Sequence, residues 1–146
     1  MSFPIAVQSI QAIARCYKPG LQALGANSNK IDPDNPRNCT GSVHLDTCLE
    51  KVYPGDSRWD YAIGYLTKAY FVEVHPASGQ VSEMIAKATW LRNWLKNDGA
   101  PLAAIHHDRE TLFWIPTKGV NILRKDTVRL AQEKIVVKNH LPLPIK

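Results

Sequence analysis

The spacing of apolar residues along the chain predicts several amphipathic helices. In the N-terminal segment, residues 1–17, apolar side chains recur every three to four positions, which predicts a first helix. The same period over residues 81–97 predicts the longest helix of the chain. Over residues 45–53 a helix is favoured, although a short strand leading into a helix also fits the pattern. A last helix is predicted over residues 126–135, with Asp126 as its N-cap.

Two neighbouring stretches alternate apolar and polar residues, which is the period of a β-strand. Residues 59–66 and 69–75 predict two strands joined by a tight hairpin turn at Thr67-Lys68. The stretches LAAIHH (residues 102–107) and TLFWIP (residues 111–116) predict two further strands.

Segments without such a period connect these elements. Residues 18–41 are rich in Gly, Asn, Asp and Pro and predict a long surface loop, and two prolines predict an extended tail over residues 136–146. Residues 42–135 would then be the core of a single domain, residues 1–146. Helices mixed with a hairpin and later strands predict an α/β (α+β) fold, in which a small mixed β-sheet has a central hairpin flanked by helices.

The composition of the chain is that of a globular protein. A formal charge of +5 and a pI near 9.2 favour an anionic partner such as nucleic acid, without requiring one. The three cysteines, Cys16, Cys39 and Cys48, are widely spaced and form no CxxC pair, which is typical of reduced thiols in a cytoplasmic protein. Because no signal peptide and no apolar run of about 20 residues occurs, we expect no contact with a membrane.

Three polar side chains of the predicted hairpin are candidates for chemistry. Glu73 and His75 share one face of the second strand, and Asp60 lies on the first strand beside small residues that would leave open space above the sheet. Counting from the turn puts Asp60 opposite or diagonal to His75. Two carboxylates and an imidazole suit a hard divalent cation, Mg²⁺ or Mn²⁺. The alternative is that these side chains have only structural roles in the sheet, in which Glu73 pairs with a lysine and His75 caps the strand.

The segments WDYAIGY, YFVEVH and VSEMIAKATWLRNWL resemble the PD-(D/E)XK nuclease-like superfamily. That family places an aspartate on one strand, a Glu-x-Lys motif on the next, then a helix and another strand. The resemblance implies a restriction-endonuclease-like core in which Asp60 and Glu73 bind the metal. It also implies a third acidic ligand from the preceding helix, for which Glu50 is the better candidate and Asp46 the second.

The chain departs from the family pattern at the motif lysine, which is replaced here by His75. A neutral imidazole could act as a general base or a metal ligand, but it supplies no permanent positive charge. Some members of the family carry the lysine on the following helix, and Lys87 is placed for that role. The alternative for Lys87 is a solvated position on the flank of the helix. The catalytic candidates are therefore Asp60, Glu73, His75 and Lys87.

Other residues are secondary candidates. Trp90 and Trp94 could stack on bases, although core packing is the commoner use. The adjacent His106 and His107 would point to opposite faces of a strand, which argues against a shared metal. Four basic residues of the C-terminal part are candidates for holding phosphates or are simply solvated: Arg109, Lys118, Arg124 and Lys125.

Taken together, these patterns predict a metal-dependent, nuclease-like domain that hydrolyses or binds nucleic acid. The alternative is a catalytically inactive PD-(D/E)XK-like protein, or an unrelated α+β protein, that acts as a protein-interaction or scaffold module. A protein partner or a homo-oligomer is compatible with either function.

Overall fold

The structure is a computed structural model that describes residues 1–76, 81–117 and 122–145. The strands are β1 (Ile31–Pro33), β2 (Cys39–His44), β3 (Tyr61–Tyr65), β4 (Lys68–Val74), β5 (Leu112–Ile115), β6 (Ile135–Val137) and β7 (Leu141–Leu143). The α-helices are α1 (Phe3–Gln8), α2 (Leu45–Cys48), α3 (Val81–Lys96), α4 (Ala100–Ala103) and α5 (Arg124–Gln132). The 3₁₀ helices span Ala14–Cys16, Gln22–Lys30 and Pro36–Asn38, and the second of them is interrupted by a kink at Gly25.

Five strands form one mixed sheet in the order β2-β3-β4-β5-β6. The pairs β2–β3 and β3–β4 are antiparallel, whereas β4–β5 and β5–β6 are parallel. Helix α3 lies between β4 and β5 in the chain, and α5 lies between β5 and β6. The predicted fold class, a small mixed sheet with a central hairpin and helices, is confirmed.

The two faces of this sheet are covered by different elements. On one face, Ala62 and Phe71 of the hairpin belong to a core that includes residues of α1, α3, α4 and α5. On the other face, Ile63 and Val72 pack with Leu24 and with a small parallel sheet formed by β1 and β7. The α-helices of this core therefore pack against one side of the hairpin, which we call the helix side, and the 3₁₀ helix Gln22–Lys30 lies on the other side.

The hairpin turn differs from the prediction by one position. Tyr65 pairs with Lys68, so Leu66 and Thr67 form the turn, and Leu66 adopts a positive φ of 52°. Moving the turn by one position shifts the strand pairing by two residues. Each side chain keeps its predicted face of the sheet, because side chains along a strand alternate with period two. Asp60 consequently lies opposite Glu73 and diagonal to His75, which is the second of the two predicted positions.

The open space expected above the small residues of β3 is filled. Gly64 lies beneath the side chains of Phe3 and Thr40, so closely that a Cβ atom at this position would overlap both. Phe3 is fully buried and comes from α1. Gly64 therefore allows the N-terminal helix to pack on the hairpin.

The N-terminal helix and the helix after β2 are shorter than predicted. Helix α1 ends at Gln8 because the Ser9 hydroxyl donates to the carbonyl of Ala6, which competes with continued helix formation. Helix α2 ends at Cys48 and is followed by turns, so Glu50 lies outside it. Helix α5 begins at Arg124, which places Asp126 in the first turn and makes Leu123 the N-cap.

The surface loop predicted over residues 18–41 is wrong. This segment contains β1, the first residues of β2 and two 3₁₀ helices, and its two buried apolar residues, Leu24 and Ile31, are enough to fix it against the sheet. The strand predicted over residues 102–107 is also wrong. Pro101 lies at the start of α4, where its missing N–H costs no hydrogen bond, and one isolated bridge joins Ala69 to His106.

The cysteines also differ from the expected reduced thiols. Cys16 and Cys48 form a disulfide that joins the 3₁₀ helix Ala14–Cys16 to the end of α2, and Cys39 remains a thiol. Two residues distant in sequence meet because both elements pack at the same corner of the helix-side core.

Candidate functional site

Asp60 and Glu73 are fixed to each other's strands just beyond the last pair of the β3–β4 ladder. The backbone N–H of Asp60 donates to Glu73 Oε1 at 2.9 Å. The backbone N–H of Val74 donates to Asp60 Oδ2 at 3.0 Å. Each carboxylate thus accepts a hydrogen bond from a backbone N–H of the neighbouring strand, in place of a backbone carbonyl. These bonds fix the positions of both acids.

Lys87 extends from α3 onto this pair. Its Nζ donates to Glu73 Oε2 at 2.7 Å, and only 12% of its side chain is exposed. The adjacent Met84, Ala88 and Leu91 are buried against the sheet, so the helix face that packs in the core also carries the lysine stem to the carboxylate.

His75 lies between two carboxylates at the outer end of the site. Its Nδ1 is 3.9 Å from Glu73 Oε2, and its Nε2 is 3.5 Å from Glu83 Oε2. The backbone of His75 is held by β5, since its N–H donates to Ile115 and its carbonyl accepts from the Trp114 indole N–H. The imidazole is therefore close to Glu73, but it occupies a different place from Lys87.

Burial controls the proton affinity of the two acids. Removal from water and the nearby Asp60 charge raise the pKa of Glu73 to about 8, although Lys87 opposes the shift. Burial also raises the pKa of Asp60, against the hydrogen bond from Val74. The pKa of Lys87 is lowered by burial, but the Glu73 carboxylate more than compensates, so it is raised overall.

A second group of donors adjoins Asp60. One ligand atom each of His44, Asp46 and Asp60 lies within 4.8 Å of the others. His44 ends β2 and pairs with Tyr61, which puts it beside Asp60, and Asp46 follows in the first turn of α2. The guanidinium of Arg58 donates to Asp46 Oδ1 at 2.9 Å and orients that carboxylate.

The acidic ligand expected from the preceding helix is therefore better supplied by Asp46 than by Glu50. Glu50 is exposed in the turns after α2 and is not part of this group. His44 was not a candidate from the sequence. Its position depends on the pairing of β2 with β3, and the only local signal is that it stands two residues before Asp46.

The remaining candidates lie elsewhere. Arg109 is exposed beside Asp108, and Arg124 and Lys125 are exposed in the first turn of α5; Lys118 lies outside the described residues. Trp94 is buried, and Trp90 stacks on it and donates its indole N–H to Asp56. The two tryptophans thus serve packing.

Comparisons with protein-family models, with curated proteins and with solved structures find no match. Within the part of the chain that the structure describes, no helix combines the length and the apolar character needed to cross a bilayer.

Proposed function

We propose that this chain is a metal-dependent, nuclease-like domain that hydrolyses or binds nucleic acid at Asp60. The observation that carries the proposal is the convergence of His44, Asp46 and Asp60 within 4.8 Å, next to the buried Glu73–Lys87 pair. A bound metal ion would activate the attacking water, and the resembled family places an acid and a lysine beside its metal ligands.

The donor set fits a divalent cation. Ligand atoms about 2.0–2.6 Å from one ion are separated by at most about 5 Å, and the three donors satisfy this limit. Two carboxylates suit Mg²⁺ or Mn²⁺, and an imidazole ligand favours Mn²⁺ over Mg²⁺. His44 Nδ1 lies 3.0 Å from the Thr47 hydroxyl, a contact of the kind that orients an imidazole for binding through its other nitrogen.

The side chains around the donors have distinct roles in this proposal. A bound cation would neutralise charge that builds on a phosphodiester and lower the pKa of the attacking water. Glu73 fixes Asp60 through its backbone N–H, and Lys87 provides the positive charge that His75 does not. His75, with 21% of its side chain exposed, can accept a proton from a solvent molecule.

The order of elements supports the resemblance to the PD-(D/E)XK nuclease-like superfamily. Asp60 immediately precedes β3, Glu73 lies on the antiparallel β4, and α3 then leads to β5, which is parallel to β4. This is the order that the resemblance implies. Lys87 on α3 supports the variant in which the lysine has moved to the helix.

Cleavage assays with purified protein test the proposal. Single- and double-stranded DNA and RNA are incubated with the protein and Mn²⁺ or Mg²⁺. We expect cleavage that is abolished by EDTA and reduced at least about a hundredfold by Asp60→Asn, because the central ligand loses its charge. Asp34→Asn removes an exposed carboxylate and is the matched control.

Calorimetry with Mn²⁺ separates binding from chemistry. His44→Ala and Asp46→Asn should each weaken Mn²⁺ binding, and Glu50→Gln should leave it unchanged. Absence of Mn²⁺ binding together with intact substrates would exclude the enzymatic function. Cleavage that persists in Asp60→Asn would assign the chemistry to another site.

A non-catalytic interaction or scaffold module is the second candidate. It is supported by the internal partners of the acids, because Arg58 already binds Asp46 and Lys87 already binds Glu73. In that case the site would be a partly buried set of ion pairs that fixes the hairpin and α3. Protein that is inert in the cleavage and calorimetry assays would favour this function.

A further inference from the structure

A groove adjoins the candidate cation site at the β2 edge of the sheet. It has a volume of about 490 Å³, and its lining includes Arg15, Cys16, Lys18, His44 and Cys48. His44 belongs both to this lining and to the donor group with Asp46 and Asp60. A ligand in the groove would therefore lie against one of the three donors of the candidate cation site.

The charge of the groove is positive. Arg15 and Lys18 are exposed, and the lining contributed by the described residues contains no carboxylate. The acids of the site, Asp46 and Asp60, are near His44 but are not among the residues that line the groove. An anionic ligand in the groove would thus contact positively charged side chains. It would approach the two acids only at the site where a bound divalent cation would neutralise their charge.

The walls of the groove are held in place by the fold. The backbone of Lys18 makes two hydrogen bonds with Ser42 of β2, at 2.9 and 3.0 Å. Arg15 precedes Cys16, which is tied to Cys48 of α2 by the disulfide. The backbone of both basic residues is therefore already ordered before a ligand binds, so less conformational entropy is lost on binding.

We propose that this groove binds the phosphodiester backbone of one nucleic-acid strand, with Arg15 and Lys18 contacting phosphates next to the one at the cation site. The inference rests on the proposed function and deepens it, since it places the strand on the β2 edge of the sheet. Guanidinium and ammonium groups are the usual phosphate ligands, and the volume is in the range that accommodates a nucleotide.

Binding measured without catalysis tests the groove. The probes are fluorescein-labelled single-stranded DNA and RNA oligonucleotides, in EDTA, read by fluorescence anisotropy. Arg15→Gln/Lys18→Gln should raise the Kd at least about tenfold and reduce the slope of log K against log salt by roughly 1.4, the value for two phosphate contacts on a single strand. Competition with a nucleoside monophosphate distinguishes a strand from a free nucleotide, which should compete weakly.

The matched control is Arg129→Gln/Lys134→Gln. Like the groove variant, it removes one arginine and one lysine charge. These residues are near β6, which is four strand spacings, or about 19 Å, across the sheet from β2. Equal weakening by both double variants, unchanged binding by the groove variant, or no binding by the unmodified protein would each overturn the inference. Thermal unfolding of both variants should match the unmodified protein, which excludes misfolding.

The outcome is separable from that of the proposed function. If Asp60→Asn abolishes cleavage while Arg15→Gln/Lys18→Gln binds and cleaves normally, the function stands and the groove assignment fails. If the unmodified protein binds oligonucleotides through the groove but never cleaves them, the groove assignment stands and the hydrolytic function fails.

Discussion

Glu73 is fully buried on β4, where its carboxylate depends on Lys87 and on the backbone of Asp60 for hydrogen bonds. A carboxylate in such a place binds a proton more tightly than it does in the unfolded chain. Its protonation is therefore linked to folding as well as to any chemistry at the site.

This linkage predicts how stability changes with pH. Because the pKa of Glu73 rises from 4.5 to about 8 on folding, its protonation favours the folded state most at low pH. That contribution should be lost as pH increases from about 4.5 to about 8. Urea unfolding in metal-free buffer across this range should show the decline, and Glu73→Gln should flatten it.

The exposed Glu50→Gln is the control for that measurement and should keep the decline of the unmodified protein. An equally steep decline in Glu73→Gln would mean that other groups, such as Asp60, carry the linkage.

The residues of the site differ in how far the sequence reveals them. Asp60, Glu73 and Lys87 are predictable because strand alternation and helical period specify which side each occupies. His44 is not, and Asp46 is only the second candidate behind Glu50, since both reach Asp60 through the pairing of β2 with β3, a contact between segments that are not neighbours in the chain. Local patterns carry no information on such pairings.

At the scale of elements, α1 and the hairpin are packed so closely that Gly64 has no room for a side chain. Gly64→Ala should lower the free energy of unfolding by about 1–3 kcal/mol, because the new methyl group overlaps Phe3 and Thr40. Urea denaturation measures the loss. The double variant Phe3→Leu/Gly64→Ala should lose less than the sum of the two single changes, whereas strict additivity would contradict the contact.

The disulfide between the Ala14–Cys16 helix and α2 can be tested by counting the free thiols of the protein. Unfolded, unreduced protein should contain one titratable thiol, that of Cys39, out of three cysteines. Cys16→Ser/Cys48→Ser should reduce the free energy of unfolding by about 3–4 kcal/mol, as expected for a closed loop of this length. Three titratable thiols would contradict the bond; Cys39→Ser is the matched control.

The elements themselves show where sequence patterns suffice. The hairpin, α3 and β5 were predictable because each has a full period of apolar residues. The strands β1, β6 and β7 contain three residues each, too few to define a period. Their formation depends on partners elsewhere in the chain, as β1 depends on β7.

At the scale of the whole molecule, the sheet separates two apolar cores. The core opposite the helix side is covered by β1, β7 and the Gln22–Lys30 helix, and it includes the fully buried Leu141 and Leu143. The segments Ile31–Pro33 and Leu141–Leu143, which are far apart in the chain, therefore contribute to one layer.

This layer should contribute strongly to stability. Leu141→Ala should lower the free energy of unfolding by about 2–5 kcal/mol, because it leaves a cavity between β7 and the sheet. Leu123→Ala, at a position that is 58% exposed, is the control and should change it by no more than about 0.5 kcal/mol. Denaturant unfolding measures both. Equal, small effects would mean that β7 packs loosely.

The two-residue turn at Leu66-Thr67 restricts how this chain can change in length during evolution. Deletion of a single residue there would move the pairing by one position and put Asp60 and Glu73 on opposite faces of the sheet, and a single insertion would do the same unless a longer loop or a bulge absorbed it. A change of two residues would keep both acids on the helix side but slide them past each other. Lineages that retain the acid pair should therefore tolerate length variation in the other connections before they tolerate it in this turn.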